Sequence, residues 1–213
     1  MTNPIRLGAL ISGGGRTVMN LLDEIEAGRL DASIDVVIAS KPGIAGVERA
    51  RDRGLEVAII DKAVYPDDAA RHDAITQTLL AAGVELVCLC GYLAWFRIDA
   101  DLRGRVINIH PALLPRFGGK GLYGDHVHAA VLAAGESYSG CTVHLVDDIY
   151  DHGPTIVQRA CPVLPDDDVR SLANRVFDEE CRALPAAIQL FAEQRVRLEG
   201  NRVVVLPGPV GAA

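Results

Sequence analysis

Apolar runs alternate with helically spaced apolar residues through the first half of the chain, and this alternation dictates a fold. Residues 5–11 form an apolar run that stops at Ser12-Gly13-Gly14-Gly15, after which Val18, Leu21, Leu22 and Ile25 recur at the spacing of one helix face. Residues 34–39 read as a second strand. Residues 44–53 read as a helix with Gly54 in the position of a C-terminal cap. Residues 55–60 are a third strand, and Pro66-Asp67-Asp68 opens a helix that runs to about residue 82 and ends at Gly83. The near-continuous apolar run 84–90 is a strand of the kind a parallel sheet buries on both faces. Residues 106–109 add a further short, uncharged strand. Strand and helix in alternation predict an α/β fold, a Rossmann-like, mostly parallel twisted sheet with helices on both faces. The second half continues with a helix from 125 to about 134 and strands at 140–146 and 154–162. A long helix follows over 168–193 with Leu172, Val176, Leu184 and Ile188 on one side, then a hairpin over 195–206 turning at 198–202 and a loose tail from 207. A single domain spanning 1–213 is expected, with halves at about 1–104 and 105–206.

Composition narrows the function classes. With 213 residues, 49% hydrophobic, the chain is long enough for a sizeable core. A net charge of -7 without any Lys/Arg cluster disfavours a nucleic-acid surface, so an anionic ligand needs a local device such as backbone amides. The five cysteines (Cys88, Cys90, Cys141, Cys161 and Cys181) form no CxxC, and Cys88 and Cys90 sit inside an apolar run. Buried thiols in a reducing compartment explain them better than disulfides or a metal. The N-terminus has no secretion signal and no apolar run approaches the roughly 18 residues of a membrane span, so a cytoplasmic protein is expected.

Candidate chemistry gathers where strands end. Asn108 and His110, two apart in an extended strand, leave on the same face, and Pro111 and Pro115 stiffen the chain beyond. The carboxyl ends of parallel strands are where open α/β folds put ligands. Gly13, Gly14 and Gly15, followed by Arg16 and Thr17, make a strand–turn–helix opening suited to a phosphate or simply to a tight connection. Leu93, Ala94, Trp95 and Phe96 follow the fourth strand as a capping cluster or as the wall of a pocket for a flat aromatic ligand. The glycine-rich residues 117–124 suit a lid or a surface connection. The acidic loop 147–154 can supply one Asp to close on His110, fixing the imidazole and favouring its charged form. His126 and His128 do not share a helix face, and no metal is assigned.

Three motifs, Asn108-Ile109-His110 through Pro115, Gly140-Cys141-Thr142-Val143-His144, and Asp151-His152-Gly153-Pro154, resemble the formyltransferase family that uses 10-formyltetrahydrofolate. The resemblance covers residues 5–206. Ser12-Gly13-Gly14-Gly15 at the amino end points to the branch that formylates the amine of glycinamide ribonucleotide in purine synthesis. It implies His110 as catalytic imidazole, Asn108 as its partner at the formyl group, and Asp151 holding His110 and raising its pKa. It implies Gly14, Gly15, Arg16 and Thr17 at the substrate phosphate and Glu180 at the rest of that substrate. Leu93, Ala94, Trp95, Phe96, Asn108 and Asp147 fall at the folate, so the first half reads as phosphate-binding and the second as folate-binding and catalytic. The implied co-substrate is 10-formyltetrahydrofolate with no metal. The implied partners are small molecules, with no nucleic acid and no membrane, and a homodimer stays open. The chain departs from the family at Ala94 and Ala69, where an Arg is common, and at Thr17, where an Asn is common. Another amino-sugar acceptor or 10-formyltetrahydrofolate hydrolysis are therefore the alternatives.

Overall fold

The structure, a computed structural model, describes residues 4–208. The chain forms two compact units, Met1–Ile109 and His110–Ala213. In the first unit β1 (Ile5–Ile11), α1 (Arg16–Glu26), β2 (Ala32–Ala39), α2 (Ala45–Asp52), β3 (Val57–Ile59), α3 (Asp68–Ala81) and β4 (Leu86–Leu89) follow one another, and β5 (Val106–His110) closes it. The strands pair in parallel in the order β3-β2-β1-β4-β5. The chain therefore steps outward from β1 to β3, then returns to the other side of β1. With right-handed crossovers, that reversal puts α1 and α2 on one face and α3 on the other. It also makes the carboxyl ends of β1 and β4 the place where a crevice opens.

The second unit contains α4 (Asp125–Ala133), β6 (Tyr138–Leu145), β7 (Thr155–Pro162), α5 (Val169–Ala192) and a separate hairpin of β8 (Val196–Glu199) with β9 (Arg202–Val205). β6 and β7 pair antiparallel, Tyr138 opposite Pro162 and Thr142 opposite Gln158, and bring the mostly parallel mixed sheet to seven strands. α5 packs on both of them. Its apolar stripe includes Leu172, Val176, Leu184 and Ile188, all at most 1% exposed. Burial of each such side chain is worth about 1.5–3 kcal/mol. Its start is fixed by a capping box: Asp168 accepts from the Ser171 amide at 2.7 Å, and the Ser171 hydroxyl accepts from the Asp168 amide at 2.9 Å. Just outside it, Asp167 is held far below the ordinary carboxylate range, first by its hydrogen bond from Arg175.

The expected elements are present, with shorter strands at two places. β3 loses residues 55, 56 and 60, and at its start the Leu55 amide is spent on Ala50 O, which closes α2. β4 loses residues 84, 85 and 90, and at its start the Val84 amide closes α3 onto Leu79 O. In the tail expected to be loose, residues 209–213 lie outside the described residues. All five cysteines are thiols rather than disulfides, and Cys88, Cys90, Cys141 and Cys161 are buried. Burial, and next the charge of Glu180, push the Cys141 thiol up to about 12. Among the described residues no helix is long and apolar enough to cross a membrane.

Candidate active site

In the first unit the glycine turn is shaped by α2. Gly15 adopts φ 69° as the N-cap of α1, and no side chain caps that helix end. A Cβ on Gly15 would stand 2.9 Å from Gly46 Cα, and one on Gly46 would stand 2.6 Å from Gly13 O. Two backbones therefore touch here, which only glycine at both positions allows. The Gly46 amide donates to Gly13 O at 3.1 Å, and the Arg49 guanidinium donates to Gly14 O at 2.7 Å. Arg16 is exposed and Thr17 half-buried in the first turn of α1, so the turn carries two nearby cations, Arg16 and Arg49. Sequence reading singled out Arg16 and passed over Arg49 and Gly46.

Directly after β4, the cluster expected as a pocket wall divides. Leu93 is 55% and Trp95 38% exposed, whereas Phe96 is buried with its ring 6.4 Å from that of His72. Phe96 thus turns into the core, and Leu93 and Trp95 stay exposed. Asn108 is half-buried on β5, in register with Leu89 and two residues before His110.

In the second unit His110 is 4% exposed, and both its ring nitrogens face partners within the protein. Nε2 lies 2.8 Å from Phe117 O, to which it donates, so Nδ1 is the nitrogen 3.5 Å from Asp151 Oδ1. Asp151 Oδ1 also lies 3.6 Å from His144 Nε2, and Asp151 Oδ2 accepts from the Gly119 amide at 2.9 Å. His144 is itself oriented: its Nδ1 donates to Leu145 O at 2.8 Å. The centre is therefore two imidazoles on one carboxylate, fastened to the glycine-rich loop through Phe117 O and the Gly119 amide. The sequence motif contained His144 without suggesting this role.

Local geometry explains how Asp151 gets there. The loop after β6 folds back until a Cβ on Gly153 would stand 1.9 Å from Leu145 O, so no other residue fits without moving the backbone. Asp151 itself sits at φ 53°, a conformation Asp tolerates better than most residues. Asp147, expected at the folate, spends its carboxylate on the loop: it accepts from the Ile149 amide at 2.9 Å and lies 2.8 Å from His152 Nδ1. Thr142 anchors the proline segment that follows His110. Its hydroxyl donates to Ala112 O at 2.7 Å and accepts from the Leu114 amide at 3.1 Å. Glu180, half-buried on α5, lies near Cys141 of β6.

Asp151 pulls the His110 pKa up, as expected, yet the net shift is downward. Burial pulls it down and outweighs the upward pull of the Asp151 charge and the Phe117 carbonyl. Asp151 is itself lowered, because the His144 hydrogen bond, the His110 charge and the Gly119 amide together overcome the opposing effect of burial. His128, 4% exposed on α4, and His72 on α3 are also lowered, burial being the largest cause for each. The consequence for stability has a definite sign. A histidine lowered in the folded state binds fewer protons there than when unfolded, so its stability contribution is lost as pH falls through its unfolded value of 6.5. Asp151 acts in the same direction but only below about 3.8, its ordinary value. The thermal midpoint is therefore expected to drop by several degrees between about pH 7.5 and about pH 5.5, with a smaller drop in His128→Gln. Calorimetry across that range checks it; a flat midpoint contradicts it.

Among the described residues no group of three or more His, Cys, Asp or Glu side chains could hold a metal ion. Comparison with known proteins extends the geometric result. The chain is 40% identical over 196 residues to the trifunctional purine biosynthetic protein adenosine-3 of Drosophila pseudoobscura pseudoobscura, covering 90% of this chain but only 14% of that protein. It is 35% identical over 204 residues to the chloroplastic phosphoribosylglycinamide formyltransferase of Arabidopsis thaliana, covering 94% of this chain and 70% of the relative. Its structure resembles that of glycinamide ribonucleotide transformylase 1 from Symbiobacterium toebii, with a TM-score of 0.90 and 41% identity over 97% of this chain and 96% of that one. The formyl transferase family model matches residues 5–188, which hold the glycine turn, Asn108, His110, His144 and Asp151 alike, and the chain belongs to the formyl transferase family.

Proposed function

We propose that the protein transfers a formyl group from 10-formyltetrahydrofolate to the amine of glycinamide ribonucleotide, a step of purine synthesis. The observation that carries this reading is one chain bearing both a phosphate-type glycine turn with Arg16 and Arg49 and a buried His110–Asp151–His144 centre. The names of the relatives support the acceptor.

The chemistry asked of these residues is limited and balanced. The substrate amine nitrogen bonds to the formyl carbon, negative charge grows on the formyl oxygen, and the bond from that carbon to the folate nitrogen then breaks. One proton leaves the amine and one reaches the folate nitrogen. Asn108 and His110 serve as donors to the charged oxygen, and a preorganised donor of this kind is worth about 3 kcal/mol. For His110 to donate from Nε2, that N–H exchanges the Phe117 carbonyl for the formyl oxygen. Asp151, facing Nδ1, favours the charged imidazole as it does so. The exposed Leu93 and Trp95 offer apolar surface to the pterin, and Glu180 is the carboxylate assigned to the amine-bearing substrate.

The acceptor is tested through its phosphate. Arg16→Ala is expected to raise the KM for glycinamide ribonucleotide about ten-fold or more, the worth of one charge-assisted hydrogen bond, with little change in the KM for the folate. Steady-state assays following folate absorbance measure both. Turnover without any amine would instead favour hydrolysis of 10-formyltetrahydrofolate.

A further inference from the structure

We propose that Ser12 is a positioning residue: its side chain holds the segment that carries Leu93 and Trp95 in fixed relation to the glycine turn. Ser12 is the first residue after β1. Its amide donates to Gly91 O at 3.1 Å, and its Oγ accepts from the Leu93 amide at 2.9 Å. The hydroxyl of Ser40, the first residue after β2, donates to that same Oγ at 2.8 Å. One hydroxyl thus ties together the carboxyl ends of three neighbouring strands, on both sides of the point where the strand order reverses.

This tie differs from an ordinary satisfied serine in what it holds. Leu93 is 55% exposed, so packing does little to fix its backbone, and the hydrogen bond to Ser12 fixes its amide instead. Two donors, the Leu93 amide and the Ser40 hydroxyl, meet on the one Oγ. Gly13 follows Ser12 directly and accepts from the Gly46 amide, so movement of Ser12 reaches the phosphate turn as well as the apolar wall. Neither the motif nor the relatives' names assign Ser12 a role.

The inference rests on the reading that Leu93 and Trp95 meet the folate, and its test separates the two. Ser12→Ala, Ser12→Thr and Ser40→Ala are compared for kcat, for the KM of each substrate, and for hydrogen exchange of the Leu93 amide in the absence of ligand. Ser12→Ala is expected to speed Leu93 exchange at least ten-fold. It should raise the KM for 10-formyltetrahydrofolate about ten-fold and move kcat much less; Ser12→Thr should restore both readings, and Ser40→Ala should fall between. A Ser12→Ala protein that melts earlier but keeps Leu93 exchange and the folate KM overturns the proposal. If the wild-type protein consumes no 10-formyltetrahydrofolate, the proposed function fails, while Leu93 exchange still decides whether Ser12 holds the segment.

Discussion

Replacing His110 with alanine is expected to lower kcat by about three orders of magnitude while leaving substrate binding within a few-fold of the wild type. The size follows from the task proposed for the ring, donating to a growing oxyanion from a preorganised position. The ring is 4% exposed, so its loss also opens a small cavity. His110→Gln, which keeps a donor and most of the volume, separates the effects. A shared loss of kcat with a preserved thermal midpoint in the glutamine variant assigns the loss to chemistry. Near-normal kcat in both variants would remove His110 from the reaction and leave Asn108 as the only donor proposed at the formyl oxygen.

Asp151→Asn is expected to cost about a hundred-fold in kcat and to shift the pH dependence in a direction the geometry specifies. The Asp151 charge pulls the His110 pKa up, against burial. Without that charge the imidazole titrates at lower pH still. If the protonated ring is the working form, activity falls as pH rises through the His110 pKa, and this descending limb moves to lower pH in the variant. Profiles of kcat/KM for the two proteins decide it. A limb that stays in place belongs to another group, and Asp151 would then act by holding the loop through the Gly119 amide.

The sequence made the scaffold legible because the scaffold is built from local regularities. The apolar runs at 5–11, 34–39, 84–90 and 106–109 became largely buried strands, the periodic stripe of Leu172, Val176, Leu184 and Ile188 became the buried face of α5, and Gly54 and Gly83 end helices with positive φ as expected. Asn108 and His110 were legible through their two-residue spacing, and Asp151 through its motif. The features that escaped are those made by chain segments distant in sequence. His144 matters because the fold back at Gly153 sets a carboxylate beside it. Phe117 matters through its backbone carbonyl, which no side-chain pattern reveals. Arg49 looked like one charge among several on α2, and only its hydrogen bond to Gly14 O connects it with the turn. The direction of the His110 shift escaped for a similar reason: the neighbouring charge is visible in a motif, but the depth of burial is not.

The contact between Gly15 and Gly46 divides the turn into parts that can and cannot be re-engineered. Those two positions are locked to each other, since enlarging either one drives a side chain into the other's backbone. Gly13 has open space where a Cβ would go, and Gly14 meets only the movable end of Arg49. A library confined to positions 13 and 14 therefore varies the lining of the proposed phosphate site on an unchanged frame, and is the economical route to an enzyme that accepts an acceptor with a different acidic group.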